Sequence, residues 1–103
     1  MANDKYTVIV SEKAKNMFKS HMLFLSRVSV KAAKEKQAEI KSALKSLESM
    51  PQRFPFFNED YIPANRYHKM FIRKWYVVLY QIKDNTVFVD YILDCRKDNE
   101  NLF

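Results

Sequence analysis

The stretch from Tyr67 to Leu93, YHKMFIRKWYVVLYQIKDNTVFVDYIL, holds three runs dense in β-branched and aromatic side chains. Tyr67–Ile72, Trp75–Lys83 and Thr86–Leu93 each have strand length, and such residues suit the pleated, half-buried surface of a sheet. Lys83-Asp84-Asn85-Thr86 supplies the Asp and Asn that tolerate the left-handed backbone of a two-residue hairpin. Arg73-Lys74 makes the earlier turn. Strands joined by turns this short can only run antiparallel, so this stretch reads as a meander.

Working back from the meander, the period changes. Pro51-Gln-Arg-Phe-Pro55 opens a loop that runs to Pro63-Ala-Asn and holds Phe54, Phe56, Phe57 and Tyr61. A long loop this aromatic should be pinned to the body of the protein. Before it, Ala33, Ile40, Ala43, Leu44, Leu47 and Met50 form an apolar stripe at helical spacing, facing away from Lys31, Lys34, Lys41 and Lys45. Pro51 ends this helix, because proline lacks the donor and restricts the residue before it. Ser29 is its expected N-cap. From Glu12, Ala14, Met17, Phe18, His21, Leu25 and Val28 mark the face of a preceding helix, with Ser11 as its cap. Two helices with so short a link fold back as an αα-hairpin. Tyr6–Ser11 alternates as a short strand does. The expected order is β-αα-βββ, an α+β fold with the helical hairpin packed on a small, mostly antiparallel sheet.

Composition sets the outer limits. A chain of 103 residues has room for one domain, spanning 1–103, and with 48% hydrophobic residues it has enough apolar surface to fold without disulfides or metal. There is no glycine, which excludes phosphate-binding glycine loops and dinucleotide fingerprints. No cofactor is expected. Cys95 is the single cysteine, and neither it nor His21 and His68 has metal-ligand spacing, so no metal is expected either. No apolar run has the length of a membrane span and no signal-peptide pattern is present. The cytoplasm is the expected compartment, with no membrane partner. The formal charge of +6 suggests an anionic partner, and it is unevenly spread: residues 1–50 carry ten basic and five acidic side chains, residues 51–103 eight and seven.

The order of elements resembles the RelE/ParE superfamily of type II toxin–antitoxin toxins, and particular stretches carry the likeness. Leu47-Glu-Ser-Met-Pro-Gln-Arg-Phe-Pro55 is similar to the helix end and "P-x-R-F-P" loop of the ParE-like branch, to which plasmid stabilisation proteins belong. Trp75-Tyr-Val-Val-Leu-Tyr80-Gln-Ile resembles the family's third strand, and Val89-Asp-Tyr-Ile-Leu-Asp-Cys95-Arg-Lys-Asp98 its closing strand and basic-acidic end. The resemblance implies a toxin held inactive by a co-expressed antitoxin. It also implies one of two activities: RelE-like members cut messenger RNA on the ribosome without metal, whereas ParE-like members poison DNA gyrase.

The resemblance places candidate residues for both. RNA cleavage requires cations to hold the phosphate and groups to move protons, for which the candidates are His68, Lys69, Arg73, Arg96 and Lys97. Against this reading, the arginine that RNA-cutting members carry three residues before the strand tyrosine falls on Val77, and strand alternation separates Lys69 from His68 and Met70. Charged residues at strand ends are ordinarily solvated and a strand histidine is ordinarily packed. Cys95 as nucleophile with His68 as base ranks behind a packing role for Cys95. His21, on the apolar stripe, is expected to be a packed or edge histidine. For partner binding, Phe54, Phe56, Phe57 and Tyr61 could form a docking groove for the antitoxin, with Lys34, Lys41 and Lys45 facing its acidic residues. The expected function is therefore a ParE-like toxin acting on a protein target such as DNA gyrase. The alternatives are a ribosome-dependent endoribonuclease and a non-toxic binding module of the same fold. A homodimer is expected where an apolar groove is left open without antitoxin.

Overall fold

The structure is a computed structural model and describes residues 5–95. Strand β1 (Thr7–Val10) leads into helix α1 (Glu12–Val28), then α2 (Val30–Ser46), a 3-10 turn at Pro51–Arg53, and strands β2 (Phe56–Phe57), β3 (Tyr67–Ile72), β4 (Tyr76–Lys83) and β5 (Thr86–Asp94). The five strands form one sheet in the order β1-β5-β4-β3-β2, in which only the β1–β5 pair is parallel. The expected α+β architecture is present, with one strand more than the sequence pattern shows. β2 has only two residues, too few for alternation to register, and it forms because Phe56 and Phe57 pair with His68 and Tyr67 while Pro55 O accepts from Lys69 N at 2.9 Å.

Both helices start where their serines predict. Ser11 Oγ accepts from Ala14 N at 3.0 Å and Ser29 Oγ from Ala32 N at 3.1 Å. Ser29 is the entire link between the helices, and its N–H still bonds Leu25 O at 2.9 Å. The far ends differ from expectation. Val28 lies 75% exposed, past the point where α1 has anything to pack on, and α2 stops at Ser46 rather than running to Pro51. Met50 is therefore not on the helical stripe; it is 68% exposed in a left-handed conformation (φ 49°). The chain tightens after Ser46 into three-residue turns, Glu48 N bonding Lys45 O and Ser49 N bonding Ser46 O, and Arg53 braces them, its Nη1 reaching Ser49 O at 2.6 Å and Met50 O at 3.1 Å while Nη2 reaches Ser46 Oγ at 3.2 Å. The guanidinium thus supplies donors to carbonyls that the end of a helix leaves without backbone partners.

The main core lies between the helices and one face of the sheet: Ala14, Ile40 and Leu47 against Tyr76, Val78, Tyr80, Val87, Val89 and Ile92. Val77, Leu79 and Leu93 are buried on the other face. β4 is thus buried on both sides from Tyr76 to Tyr80, which explains its unbroken apolar run. β5 keeps Val87, Val89 and Ile92 on the helical side despite their uneven spacing, because Leu79 pairs with Tyr91 and Tyr80 with Val89, leaving Asp90 as the extra residue of a bulge. β1 covers β5 only from Thr86 to Val89. Beyond it, α1 takes over the flank: Ser11 N bonds Val89 O at 2.9 Å, and His21 Nε2, which must carry a proton to face a carbonyl, donates to Ile92 O at 2.7 Å. No helix among the described residues is long and apolar enough to cross a membrane.

The aromatic loop is tied to the sheet by two hydrogen bonds, one from Tyr80 and one from His68, whose Nδ1 donates to Phe54 O at 2.7 Å. Tyr80 Oη donates to Pro51 O at 2.6 Å, and burial pushes this phenol's pKa well above its usual value. Replacing Tyr80 with Phe leaves the Pro51 carbonyl buried without its donor, and should cost about 1–3 kcal/mol in denaturant unfolding. Met50→Gly should act oppositely. Relief of the left-handed strain outweighs the added freedom of the unfolded chain, so a gain of about 0.5–1 kcal/mol is expected in the same measurement.

Candidate functional site

The basic residues of β3 and its turn do not converge. His68 faces the helices and is buried, its ring stacked 5.3 Å from Tyr80 and 4.3 Å from Phe56, with Nδ1 donating to Phe54 O at 2.7 Å. Lys69 points to the opposite face, its ammonium 5.9 Å from the rings of both Phe57 and Phe71. Arg73 sits in the β3–β4 turn at φ 58°, within 3.8 Å of Glu39 on α2. Lys74 is exposed beside it. Arg96 and Lys97 lie outside the described residues. Val77, where the resemblance would place a phosphate-holding arginine in RNA-cutting members, is buried with Leu79 and Leu93 in an apolar cluster. Cys95 packs against that same cluster. Its neighbour Asp94 pairs with Tyr76 and His68 with Tyr80, so the two are four residues, about 13 Å, apart along β4 and on opposite faces. Burial, then the charge of Asp94, raise the Cys95 thiol's pKa, the reverse of what a nucleophile needs. Among the described residues no three His, Cys, Asp or Glu gather in a way that could hold a metal ion.

The loop aromatics are likewise divided. Phe54 packs on the helical side, under the Arg53 guanidinium at 4.5 Å, and Phe56 covers His68 there. Phe57 belongs to the opposite cluster, and Tyr61 is exposed next to the buried Ile62. Strand pairing at β2 forces this split, since consecutive residues of a strand point to opposite faces. The four rings therefore line no common groove.

The lysines of α2 do share a surface. Lys34, Lys41 and Lys45 are all exposed, and their spacing sets them on one stripe about 16 Å long. Lys36 is off that stripe: its ammonium lies 4.3 Å from the Trp75 ring centroid and 3.1 Å from Glu39 Oε1. Beside Lys41 opens a cavity of about 180 Å³ walled by Val10, Phe18, Leu44 and Ile92, with Lys15 from α1 also lining it. The walls are wholly apolar while both flanking charges are positive. Sequence reasoning found Lys41 but not Lys15 or the cavity, because its walls come from β1, both helices and β5, and only the folded chain joins them.

Asp90, the bulge residue, was also not singled out, although an acid inside Val87-Phe-Val-Asp90-Tyr-Ile92 is the visible sign of an irregularity. Its Oδ2 accepts from Tyr67 Oη at 3.1 Å and from Gln81 Nε2 at 2.8 Å. Burial first, then the bond to Asp90 and its charge, push the Tyr67 phenol up to about 12. Folding favours the neutral phenol, so this contribution to stability is whole below pH 10 and is lost as the pH rises from 10 towards 12. Asp90→Asn removes the charge but not the burial, so a spectrophotometric titration should show Tyr67 ionising at a lower pH than in the parent, yet still above the ordinary tyrosine value.

A family model described as the ParE toxin of the type II toxin–antitoxin system parDE matches residues 8–99. Among solved structures, a chain of the chromosomal ParDE toxin–antitoxin system from P. aeruginosa superposes with a TM-score of 0.71, covering 89% of this chain and 98% of that one at 11% identity. At that identity the likeness is one of fold. No curated protein sequence matches the chain. Because the family match begins inside β1 and continues past the end of β5, taking in every element of the sheet and both helices, the chain belongs to the ParE toxin family of type II toxin–antitoxin systems.

Proposed function

We propose that this type II toxin acts by binding a protein target such as DNA gyrase, without catalytic chemistry of its own, and is neutralised by a cognate antitoxin that docks on its helical face. The observation that carries the mode of action is the fate of the basic set. Among the described residues His68 is enclosed, Lys69 points the other way and Arg73 stands at the far turn, with Val77 buried in apolar company. Holding a phosphate through a change of charge needs several donors aimed at one point, and these three do not share one.

The antitoxin reading rests on the α2 stripe and the cavity beside it. A wall of Val10, Phe18, Leu44 and Ile92 suits one apolar side chain, and Lys15, Lys34, Lys41 and Lys45 suit acidic residues before and after it in an antitoxin segment. Phe56, half-exposed over His68, is at the opposite margin of the sheet from the cavity, and Phe57 lies on the other face, so neither belongs to this contact.

Induced expression alone, and with the neighbouring reading frame, is the direct test. Growth arrest relieved by the neighbour, accompanied by DNA-damage signalling with intact transcripts, is expected. Arrest with cut transcripts would instead establish a ribosome-dependent nuclease, and no arrest at good expression would leave a binding module. The combined change Lys34→Glu, Lys41→Glu and Lys45→Glu should weaken antitoxin binding by roughly tenfold or more in calorimetry, mainly through slower association.

A further inference from the structure

The helical hairpin extends past the sheet that supports it. On α1 His21 bonds Ile92 O, and on α2 Lys36 lies over the Trp75 ring. From His21 to the end of α1 the hairpin runs on for about 10 Å. In this projecting part only Leu25 and Ala33 are buried. Leu23, Val28 and Val30 are 58%, 75% and 59% exposed, although Ser29 between the last two leaves no room for a loop that would fold them away.

Charge is concentrated on the same element. Residues 13–34 contain Lys13, Lys15, Lys19, Arg27, Lys31 and Lys34 and no acidic residue at all, so this segment alone accounts for a charge equal to the +6 excess of the whole chain. The three ion pairs among the described residues use Lys5, Lys36 and Arg73, all outside it. A protein that gained only solubility from these cations would be expected to intersperse acids among them and to keep aliphatic side chains off a protruding tip.

We infer that the tip of the α1–α2 hairpin, with Val28 and Val30 at its centre and Arg27 and Lys31 around them, is the surface that engages the toxin's target, and that the target presents an acidic protein surface with an apolar seat. A phosphate backbone would use the cations but would leave these aliphatic side chains in water. A second copy of the chain would bring two strongly basic tips together, which like-charge repulsion opposes. An acidic protein surface with an apolar centre uses both features, in the usual arrangement of an apolar anchor within a polar rim. The tip adjoins the near end of the α2 stripe, Lys31 lying one turn from Lys34, but it includes none of the residues that line the cavity assigned above to the antitoxin. This inference rests on the reading of the chain as a toxin that acts by binding.

Two variants test it in the full chain, Val28→Ser with Val30→Ser, and Arg27→Glu with Lys31→Glu. All four positions are exposed, so circular dichroism and the melting midpoint should stay close to those of the parent. Each variant is expected to need roughly tenfold more inducer or above to arrest growth, while binding the co-expressed antitoxin as the parent does. If the parent arrests growth and both variants arrest it equally, the tip is not the target surface. If charge reversal abolishes arrest while the serine variant keeps full potency, the target surface is nucleic acid and the assignment to a protein is overturned. Loss of antitoxin binding in step with toxicity would place the antitoxin, not the target, on the tip. Failure of the parent itself to arrest growth would remove the toxin reading and this inference with it, an outcome recognisable before any variant is examined.

Discussion

Tyr80 is fully buried at the middle of the central strand and still has to place a hydroxyl. It does so against Pro51 O, the carbonyl of the residue that opens the long loop. The ring meanwhile stacks on His68, whose own Nδ1 is spent on Phe54 O three residues further along that loop. One aromatic residue thus joins the sheet, the end of the helical hairpin and the aromatic segment into a single packed unit. The chain has no glycine to make tight turns cheaply, so Met50, Asn65, Arg73 and Asp84 adopt left-handed backbone while carrying a Cβ. Such positions persist only where surrounding contacts over-determine them, and around Met50 those contacts are the Tyr80 and Arg53 bonds to the segment from Ser49 to Pro51.

Much of this was legible in the residues, and what was not has identifiable causes. A change of apolar period from two to between three and four marks the passage from strand to helix and back, and the two serine caps fix where each helix begins. The parity of β3, with His68 and Met70 on one side and Lys69 on the other, follows from strand geometry alone. The end of α2 was harder to read because the chain leaves the helix four residues before Pro51, in turns braced by Arg53 from beyond that proline. β2 escaped because two residues make no pattern. The cavity beside Lys41 was invisible for a different reason: residues 10, 15, 18, 41, 44 and 92 become neighbours only through the parallel β1–β5 pairing and the fold-back of the hairpin.

The two layers of the fold carry different kinds of surface. The sheet's accessible face is occupied by rings, by the Val77, Leu79 and Leu93 cluster and by the self-contained hydrogen bonds of Asp90. The helices hold most of the unneutralised charge. A small domain with one core has little spare surface, and separating the rigid layer from the charged one lets the charged layer vary without disturbing the packing beneath. Family members that differ in partner could therefore diverge on the helices while keeping the sheet.

The way α1 lies along β5 also governs how the sheet can grow. An uncovered strand flank invites another chain to add to it, in regulated binding or in aggregation. With Ser11 and His21 bonded to Val89 O and Ile92 O, α1 and its cap take up acceptors along the second half of β5 that an added strand would use. Among the described residues the flanks that remain are the outer side of β1, the outer side of the two-residue β2 and the short end of β3 past Lys69. An incoming extended segment is thereby limited to brief pairings at the two margins of the sheet, and must gain most of its hold from side chains.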